Sequence, residues 1–165
     1  MLITDLELIR KNSIKNEDQN WRFRSYLKMQ DDNEIDLVVK PILEFVQRNI
    51  DCLLCGNCCR TIRPTITKGD MGKLKKELKL NIYEIIEKYT EKGEDEELLL
   101  RGKPCCFLNG NECKIYKNRP FDCESFPHLH KKRFTSRLFG IIDNLEICPI
   151  VYNVYEQLKI KLNFR

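Results

Sequence analysis

The sequence predicts an α+β fold: a small, cysteine-rich, metal-stapled domain, mostly helical with short hairpin strands, preceded by an N-terminal extension. Hydrophobic residues make up 42% of the 165 residues, which is enough for an apolar core. Apolar residues recur at helical spacing in several stretches, and turn residues separate short apolar runs between them. Nine cysteines, eight of them in two groups, indicate that metal helps to hold the domain together.

Two segments are expected, an N-terminal extension of residues 1–49 and a cysteine-cluster domain of residues 50–165. In Trp21–Met29 apolar residues alternate with mostly polar ones, which predicts a half-buried strand. An aromatic-and-arginine arm that stacks on nucleic acid is the alternative for this stretch. Helical spacing from Glu34 to Ile50 predicts a helix that braces the first cysteine group, and Pro41 is expected to start it late or to kink it.

Local signals predict most elements of the second segment. A capping box at Thr67 and Asp70 starts one helix, and a capping signature at Asn81 starts another that ends near Gly93. The remaining elements are a short strand, a hairpin with an Asn-Gly-Asn turn and an amphipathic C-terminal helix, predicted over residues 98–100, 107–116 and 149–164. The two capped helices are expected to form a scaffold between the segments that carry cysteines.

Hydropathy and charge narrow the classes of function. No apolar run approaches the roughly 18 residues of a membrane span, and the N-terminus lacks the layout of a signal peptide. We therefore expect a cytoplasmic protein with no membrane partner, in a compartment where clustered thiols favour metal over disulfides. The formal net charge is +4 with thiols counted as neutral. Anionic thiolate–metal sites would offset this excess, so charge alone does not favour nucleic acid as a partner.

The first cysteine group is Cys52-Leu53-Leu54-Cys55-Gly56-Asn57-Cys58-Cys59. Its overlapping C-x-x-C units bring three thiolates around one centre, as ferredoxin-type [4Fe–4S] loops do. Gly56 allows backbone angles that a Cβ would forbid. Because neighbouring side chains normally point apart, Cys58 is expected to face one site and Cys59 either the other site or a backing position.

The second cysteine group runs from Cys105 to Cys123 and continues into Phe126-Pro127. Taken with Cys52–Arg60, it resembles the CxxCxxCC cysteine-cluster family, which is described as a zinc- or iron-chelating domain. The resemblance covers about residues 50 to 150. The shared motifs are Cys55-Gly56, Cys58-Cys59-Arg60, Phe107-Leu108, Ile115-Tyr116, Arg119-Pro120, Phe126-Pro127 and Cys148-Pro149.

The resemblance implies eight metal ligands: Cys52, Cys55, Cys58, Cys59, Cys105, Cys113, Cys123 and Cys148. The family has a proline where this chain has Cys106, so Cys106 is interpreted as a packing residue rather than a ligand. Arg60 and Arg119 are expected beside the thiolates, where they balance charge and donate hydrogen bonds to sulfur or backbone. His128 and His130 could ligate metal, but with eight thiols available they are interpreted as turn or surface residues.

The spacing of the cysteines favours an iron–sulfur cluster over zinc. Zinc sites usually pair two C-x₂₋₄-C knuckles, whereas this chain has a tight trio followed by scattered cysteines and a remote Cys-Pro. We expect [4Fe–4S] in one or two centres, with zinc as the alternative. With two centres, the predicted ligand sets are Cys52, Cys55, Cys58 and Cys148 for the first, and Cys59, Cys105, Cys113 and Cys123 for the second.

Three classes of function are compatible with these motifs. The first is a cluster protein in electron transfer, cluster assembly or maturation of a larger enzyme, with a redox or assembly protein as its partner. The second is a zinc-stabilised module that binds protein or RNA. The third is a methyltransferase-related protein, because flagellin lysine N-methylases carry a similar cysteine cluster. The sequence shows no nucleophile–base pair, paired acids or nucleotide-type glycine loop, so no catalytic residue is predicted and the first class is preferred.

Overall fold

The computed structural model describes all 165 residues and has ten α-helices and four short strands. The helices are α1 (Leu6–Lys15), α2 (Glu17–Lys28), α3 (Asp32–Asn49), α4 (Cys52–Cys55), α5 (Cys58–Thr61), α6 (Lys68–Leu78), α7 (Ile82–Tyr89), α8 (Phe121–Ser125), α9 (Leu138–Asp143) and α10 (Pro149–Lys161). The strands are β1 (Thr90–Lys92), β2 (Leu98–Leu100), β3 (Leu108–Asn109) and β4 (Glu112–Cys113). The predicted α+β class is confirmed. None of the helices is both long and apolar enough to cross a lipid bilayer.

The chain divides into two compact units, which differ from the segments expected from the sequence. The helical unit combines Met1–Asp51 with Pro127–Arg165, and the cysteine unit is Cys52–Phe126. The C-terminal segment groups with the N-terminal helices because α10 packs mainly against α3. Most residues of α10 are buried, so this helix needs apolar partners on several sides, and α1 and α3 provide them.

Helix α3 confirms the predicted helical segment, with a different start. Its buried residues Ile35, Val39, Leu43 and Val46 recur every three or four positions and form one apolar stripe. The helix begins at Asp32, where the Asp31 carboxylate accepts hydrogen bonds from two first-turn amides. Pro41 lies well inside the helix, so the expectation that it delays the start is wrong.

Helix α2 replaces the strand that was predicted over Trp21–Met29, and that prediction is wrong. Phe23 and Leu27 are four residues apart, so their burial satisfies a helical period as well as an alternating one. Phe23 is completely buried and packs edge-to-face on Tyr155, with ring centroids 5.1 Å apart. Trp21 points elsewhere and keeps 37% of its surface exposed.

Because α2 is a helix, substitutions of Trp21 and Phe23 should differ in their effect on stability. In a strand these two side chains would lie on the same face. Phe23→Ala should lower the free energy of unfolding by about 3–5 kcal/mol, because it empties a buried site. Trp21→Ala should cost well under half as much, because its ring is partly hydrated. Urea denaturation followed by far-ultraviolet circular dichroism measures both, and equal losses would contradict the packing of α2.

The two capping signatures in the cysteine unit are confirmed. At α6 the Thr67 side chain and the Asp70 carboxylate bond reciprocally to each other's backbone amides, and at α7 Asn81 and Glu84 do the same. Helix α7 ends at Tyr89 rather than near residue 93, because the following residues pair with another strand.

Two antiparallel pairs complete the cysteine unit and confirm the predicted strand and hairpin. Strand β1 pairs with β2, and β3 pairs with β4 across a turn at Gly110-Asn111 in which Gly110 has φ +60°. The turn brings residues 108 and 113 opposite each other. The core between these strands and the two capped helices is small and consists of Ile66, Met71, Leu74, Ile85, Leu100, Phe107 and Ile115.

The Asp70 carboxylate ties α6 to the helix that carries Cys123. Asp70 is only 2% exposed and accepts hydrogen bonds from the Thr67 amide (2.9 Å), the Thr67 hydroxyl (2.6 Å) and the Phe121 amide (2.8 Å). Burial raises the pKa of Asp70, but the hydrogen bonds from Thr67 and Phe121 outweigh it, so that the pKa lies below its ordinary value. The ionised carboxylate therefore stabilises the folded cysteine unit.

Asp70→Asn should destabilise the cysteine unit by about 1–3 kcal/mol at neutral pH, because a buried acceptor is lost. The pKa of Asp70 is lower in the folded state than in the unfolded state. The stabilisation by its carboxylate is therefore fully present above the unfolded-state pKa and is lost as the pH falls through the folded-state pKa. The difference from wild type should therefore shrink in acid. Denaturation at neutral and acidic pH tests this, with Asp95→Asn as the matched control at an exposed carboxylate. A difference that does not change with pH would contradict it.

Candidate metal centre

Six cysteines converge on one cavity within Cys52–Phe126. The cavity measures about 270 Å³, and the cysteines that line it are Cys52, Cys58, Cys59, Cys105, Cys113 and Cys123. Much of the remaining wall is apolar and includes Ile62, Leu100 and Phe107. All nine cysteines of the chain are thiols. The cavity therefore offers soft sulfur donors in a largely apolar setting, the donor set that zinc and iron–sulfur clusters use.

The first cysteine group enters the cavity through two short helices joined at Gly56. Cys52 begins α4, whereas Cys58 and Cys59 begin α5. Gly56 lies between the helices with φ +59°, and a Cβ at this position would lie 2.9 Å from Arg60 Nη1 and 3.3 Å from the Asn111 Cα. Glycine suits both constraints, because a side chain here would be strained at this φ and would press against Arg60 and the Asn111 backbone.

The second cysteine group reaches the cavity from three separate elements. Cys105 is held against the first group by a hydrogen bond of 2.8 Å from its amide to the Cys59 carbonyl. Cys113 ends strand β4, and Cys123 lies in α8, which is tied to α6 through Asp70. The second group thus contributes a loop, a hairpin and a helix to a cavity that also contains the first group, more than 40 residues earlier in the chain.

Four of the thiols are close enough to influence one another electrostatically. Burial raises the pKa of Cys123 to about 12, and charge on Cys59, Cys105 and Cys113 adds to the shift. Burial also raises the pKa of Cys113, again with contributions from Cys59 and Cys105. These four cysteines are the set that the sequence predicted for the second of two centres.

Cys59 differs from its neighbours in favouring the thiolate. A hydrogen bond from the Cys58 thiol lowers the pKa of Cys59 to about 7, and the positive charges of Arg60 and Arg119 act in the same direction. Arg119 stacks on Tyr116, with its guanidinium carbon 3.9 Å from the ring centroid. Both arginines therefore favour the thiolate form of Cys59.

The expectation that Cys58 and Cys59 diverge is wrong. Both line the same cavity, and their sulfur atoms are joined by a hydrogen bond. The reason is that α5 begins at Cys58: in a helix consecutive side chains are separated by about 100°, whereas in a strand they point to opposite faces. The division of the ligands into two centres loses its geometric basis and stays a prediction.

Two predicted ligands lie outside the lining of this cavity. Cys55 is half-buried at the end of α4. Cys148 is buried immediately before α10, in the helical unit. His128 and His130 also belong to the helical unit, where His128 is half-buried and His130 is exposed.

Cys106 is exposed, so its interpretation as a packing residue is wrong. The cavity is lined by Cys105 and not by Cys106. A hydrogen bond from the Cys105 thiol lowers the pKa of Cys106 and raises that of Cys105. Adjacent residues in a turn thus place one thiol at the cavity and the other in solvent.

The cavity-lining cysteines do not form a ready-made site for a single metal ion. No group of three or more His, Cys, Asp or Glu side chains is arranged to hold a single metal ion in this structure.

Sequence reasoning missed Asn111 as a residue of the site. It was assigned only to the hairpin turn, yet its side chain donates a hydrogen bond of 2.8 Å to the Leu54 carbonyl and accepts one of 2.5 Å from Arg60. The pairing of an Asn-Gly-Asn turn with a distant C-x-x-C loop leaves no periodic signal in the sequence. Only the fold brings them together.

Comparison with known proteins agrees with this geometry. A family model described as "Putative zinc- or iron-chelating domain" matches residues 51–139, more than half of the chain. The chain belongs to the CxxCxxCC family. The match spans the whole cysteine unit, and all six cavity-lining cysteines of this CxxCxxCC protein lie within it. Membership makes this a metal-binding chain, as its thiol-lined cavity indicates.

A relative of this CxxCxxCC chain comes from Methanocaldococcus jannaschii and is named uncharacterized protein MJ0661. The two are 38% identical over 81 residues, which is 47% of this chain and 43% of the relative. The chain thus matches less than half the length of that protein. No solved structure matches the chain.

The adjacent residues Cys105 and Cys106 provide a matched test of the cavity. Cys105→Ser should lower the amount of bound metal, because it removes a donor from the cavity wall. Cys106→Ser should retain the wild-type amount, because Cys106 is exposed and does not line the cavity. Elemental analysis of the anaerobically purified variants gives the metal-to-protein ratio. Equal loss in both variants would mean that Cys106 is also a ligand.

Proposed function

We propose that this chain holds an iron–sulfur cluster in the cysteine-lined cavity and serves electron transfer, cluster assembly or the maturation of a larger enzyme. The observation that carries the proposal is the convergence of six cysteines on one largely apolar cavity. Metal binding follows from family membership, and the cluster is the finer step proposed here.

The size of the cavity supports a cluster rather than a single ion. A water molecule needs roughly 10–15 Å³ of such space, so about 270 Å³ holds many water-sized groups. A structural zinc site, in contrast, is filled by its four ligands around one ion. A cluster with its own sulfide ions occupies more volume and tolerates an apolar wall.

We assign the cluster to Cys59, Cys105, Cys113 and Cys123, four cavity-lining thiols, because charge on the first three raises the pKa of Cys123. Arg60 and Arg119 would offset the negative charge of the thiolates and the sulfide ions. The second centre that the sequence predicted stays a prediction. When bound, a cluster supplies one-electron redox chemistry, and these residues hold it.

A protein partner is proposed from the surface around the first cysteine group. Leu54 is 76% exposed and Phe121 is 54% exposed, although both adjoin cysteine-bearing segments. Exposed apolar side chains mark a docking surface where they form one contiguous patch. A redox or assembly partner in the cytoplasm would fit, and we propose no role for nucleic acid or a membrane.

Zinc is the second candidate, and the family description favours it equally with iron. In that case the cysteine unit would be a zinc-stabilised module that binds protein or RNA. Four of the thiolates would then surround one zinc ion at Zn–S distances of about 2.3 Å. The same analysis of bound elements decides between the two metals.

Anaerobic purification followed by iron, zinc and acid-labile sulfide analysis tests the proposal. A brown protein with about four iron and four sulfide per chain for each centre is the expected result. Cys59→Ser should lose most of the iron, whereas the matched exposed-site variant Cys106→Ser should not. A colourless protein with zinc and no sulfide would overturn the iron–sulfur assignment and support the zinc module.

A further inference from the structure

Arg60 and Asn111 connect the first cysteine group to the β3–β4 turn through four hydrogen bonds. Arg60 Nη1 donates to the Cys55 carbonyl at 3.2 Å, and Arg60 Nη2 donates to the Gly110 carbonyl at 2.8 Å and to Asn111 Oδ1 at 2.5 Å. Asn111 Nδ2 donates in return to the Leu54 carbonyl at 2.8 Å. We call this network the loop clamp.

From these contacts we infer that Asn111 is a positioning residue for the metal centre: through the loop clamp it fixes the distance between the first cysteine group and Cys113. It is not itself a ligand in this account, because its amide groups are engaged with Leu54 and Arg60. The inference rests on the metal-binding function proposed above and adds a residue that no cysteine motif identifies.

The positions of the clamped residues explain why the clamp controls the thiols. Arg60 directly follows Cys59, and Asn111 lies two residues before Cys113, so that movement at either end shifts a cavity-lining thiol. The two segments are also joined by the bond from the Cys105 amide to the Cys59 carbonyl. With that hydrogen bond alone, the first cysteine group could rotate about a single attachment. The loop clamp is a second attachment, and together the two fix the distance between the first cysteine group and Cys113.

Close packing at Gly56 makes the clamp sensitive to small changes. The position of a Cβ on Gly56 falls 3.3 Å from both the Cα and the carbonyl oxygen of Asn111. Backbone of the first group and backbone of the turn are therefore in direct contact, and the side chains of Arg60 and Asn111 hold them there. Loss of these hydrogen bonds allows the contact to open, because little apolar surface is buried at this exposed turn.

The test compares Asn111→Ala with Asn109→Ala in the full chain after anaerobic loading with iron and sulfide. Asn109 is the matched control, because it is exposed on the same hairpin and takes no part in the clamp. Asn111→Ala should release iron to a chelator about 10- to 100-fold faster than wild type, the effect typical of residues that orient metal ligands. Its midpoint potential, measured at full occupancy, should also shift, which a merely structural role would not produce.

Asn111→Asp distinguishes the hydrogen bond that Asn111 accepts from Arg60 from the one that it donates to Leu54. The carboxylate still accepts from Arg60 but cannot donate to Leu54, so its release rate should lie between those of wild type and Asn111→Ala. If Asn111→Ala and Asn109→Ala give the same release rate and the same potential, the inference is wrong.

Failure of the proposed cluster is distinguishable from failure of the clamp. If wild type takes up no iron and sulfide, the iron–sulfur function fails, and the clamp is judged instead with zinc. Asn111→Ala should then release zinc faster than Asn109→Ala and increase the hydrogen exchange of residues 52–61. Equal behaviour of both variants in these measurements would overturn the clamp.

Discussion

The structure of residues 52–126 depends on bringing six thiols from separate segments to one cavity. The apolar core beside that cavity has seven buried side chains, and such a core stabilises a small unit only marginally. Polar ties add what apolar burial does not: Asp70 holds the helix of Cys123, the Cys59 carbonyl holds Cys105, and Asn111 holds the first cysteine group. All three hydrogen-bonded ties end near thiols, so the contacts that stabilise the fold of this unit also position its candidate metal ligands.

Elements with strong local signals could be predicted from the sequence. The capping boxes at Thr67 and Asn81 are reciprocal bonds between residues three positions apart, so the sequence contains everything they need. The β3–β4 turn is equally local, because Gly110 permits the left-handed backbone there. The resemblance to the CxxCxxCC family also allowed the candidate metal ligands to be predicted, and six of these cysteines line one cavity in the structure.

Two kinds of feature could not be predicted from the sequence. One depends on contacts between residues far apart in the chain, and the other is an apolar pattern that fits a helix and a strand equally well. Phe23 and Leu27 fit a strand and a helix equally well, and contact with Tyr155 decides for the helix. The side chains of Cys58 and Cys59 were expected to point apart, whereas both residues begin a helical turn and line one cavity. The Arg60–Asn111 pair and the packing of α10 on α3 join residues far apart in the chain, and no local pattern records such pairs.

Hydrogen exchange before and after removal of metal tests most directly whether the thiols and their metal hold residues 52–126 together. Structural metal binding contributes on the order of 10 kcal/mol to small domains, far more than a core of this size supplies. After chelation under reducing conditions, amides of α6, α7 and β2 should lose protection, while those of α3 and α10, which have an extensive apolar interface, should keep it. Unchanged protection throughout residues 52–126 in the chelated protein would contradict the account.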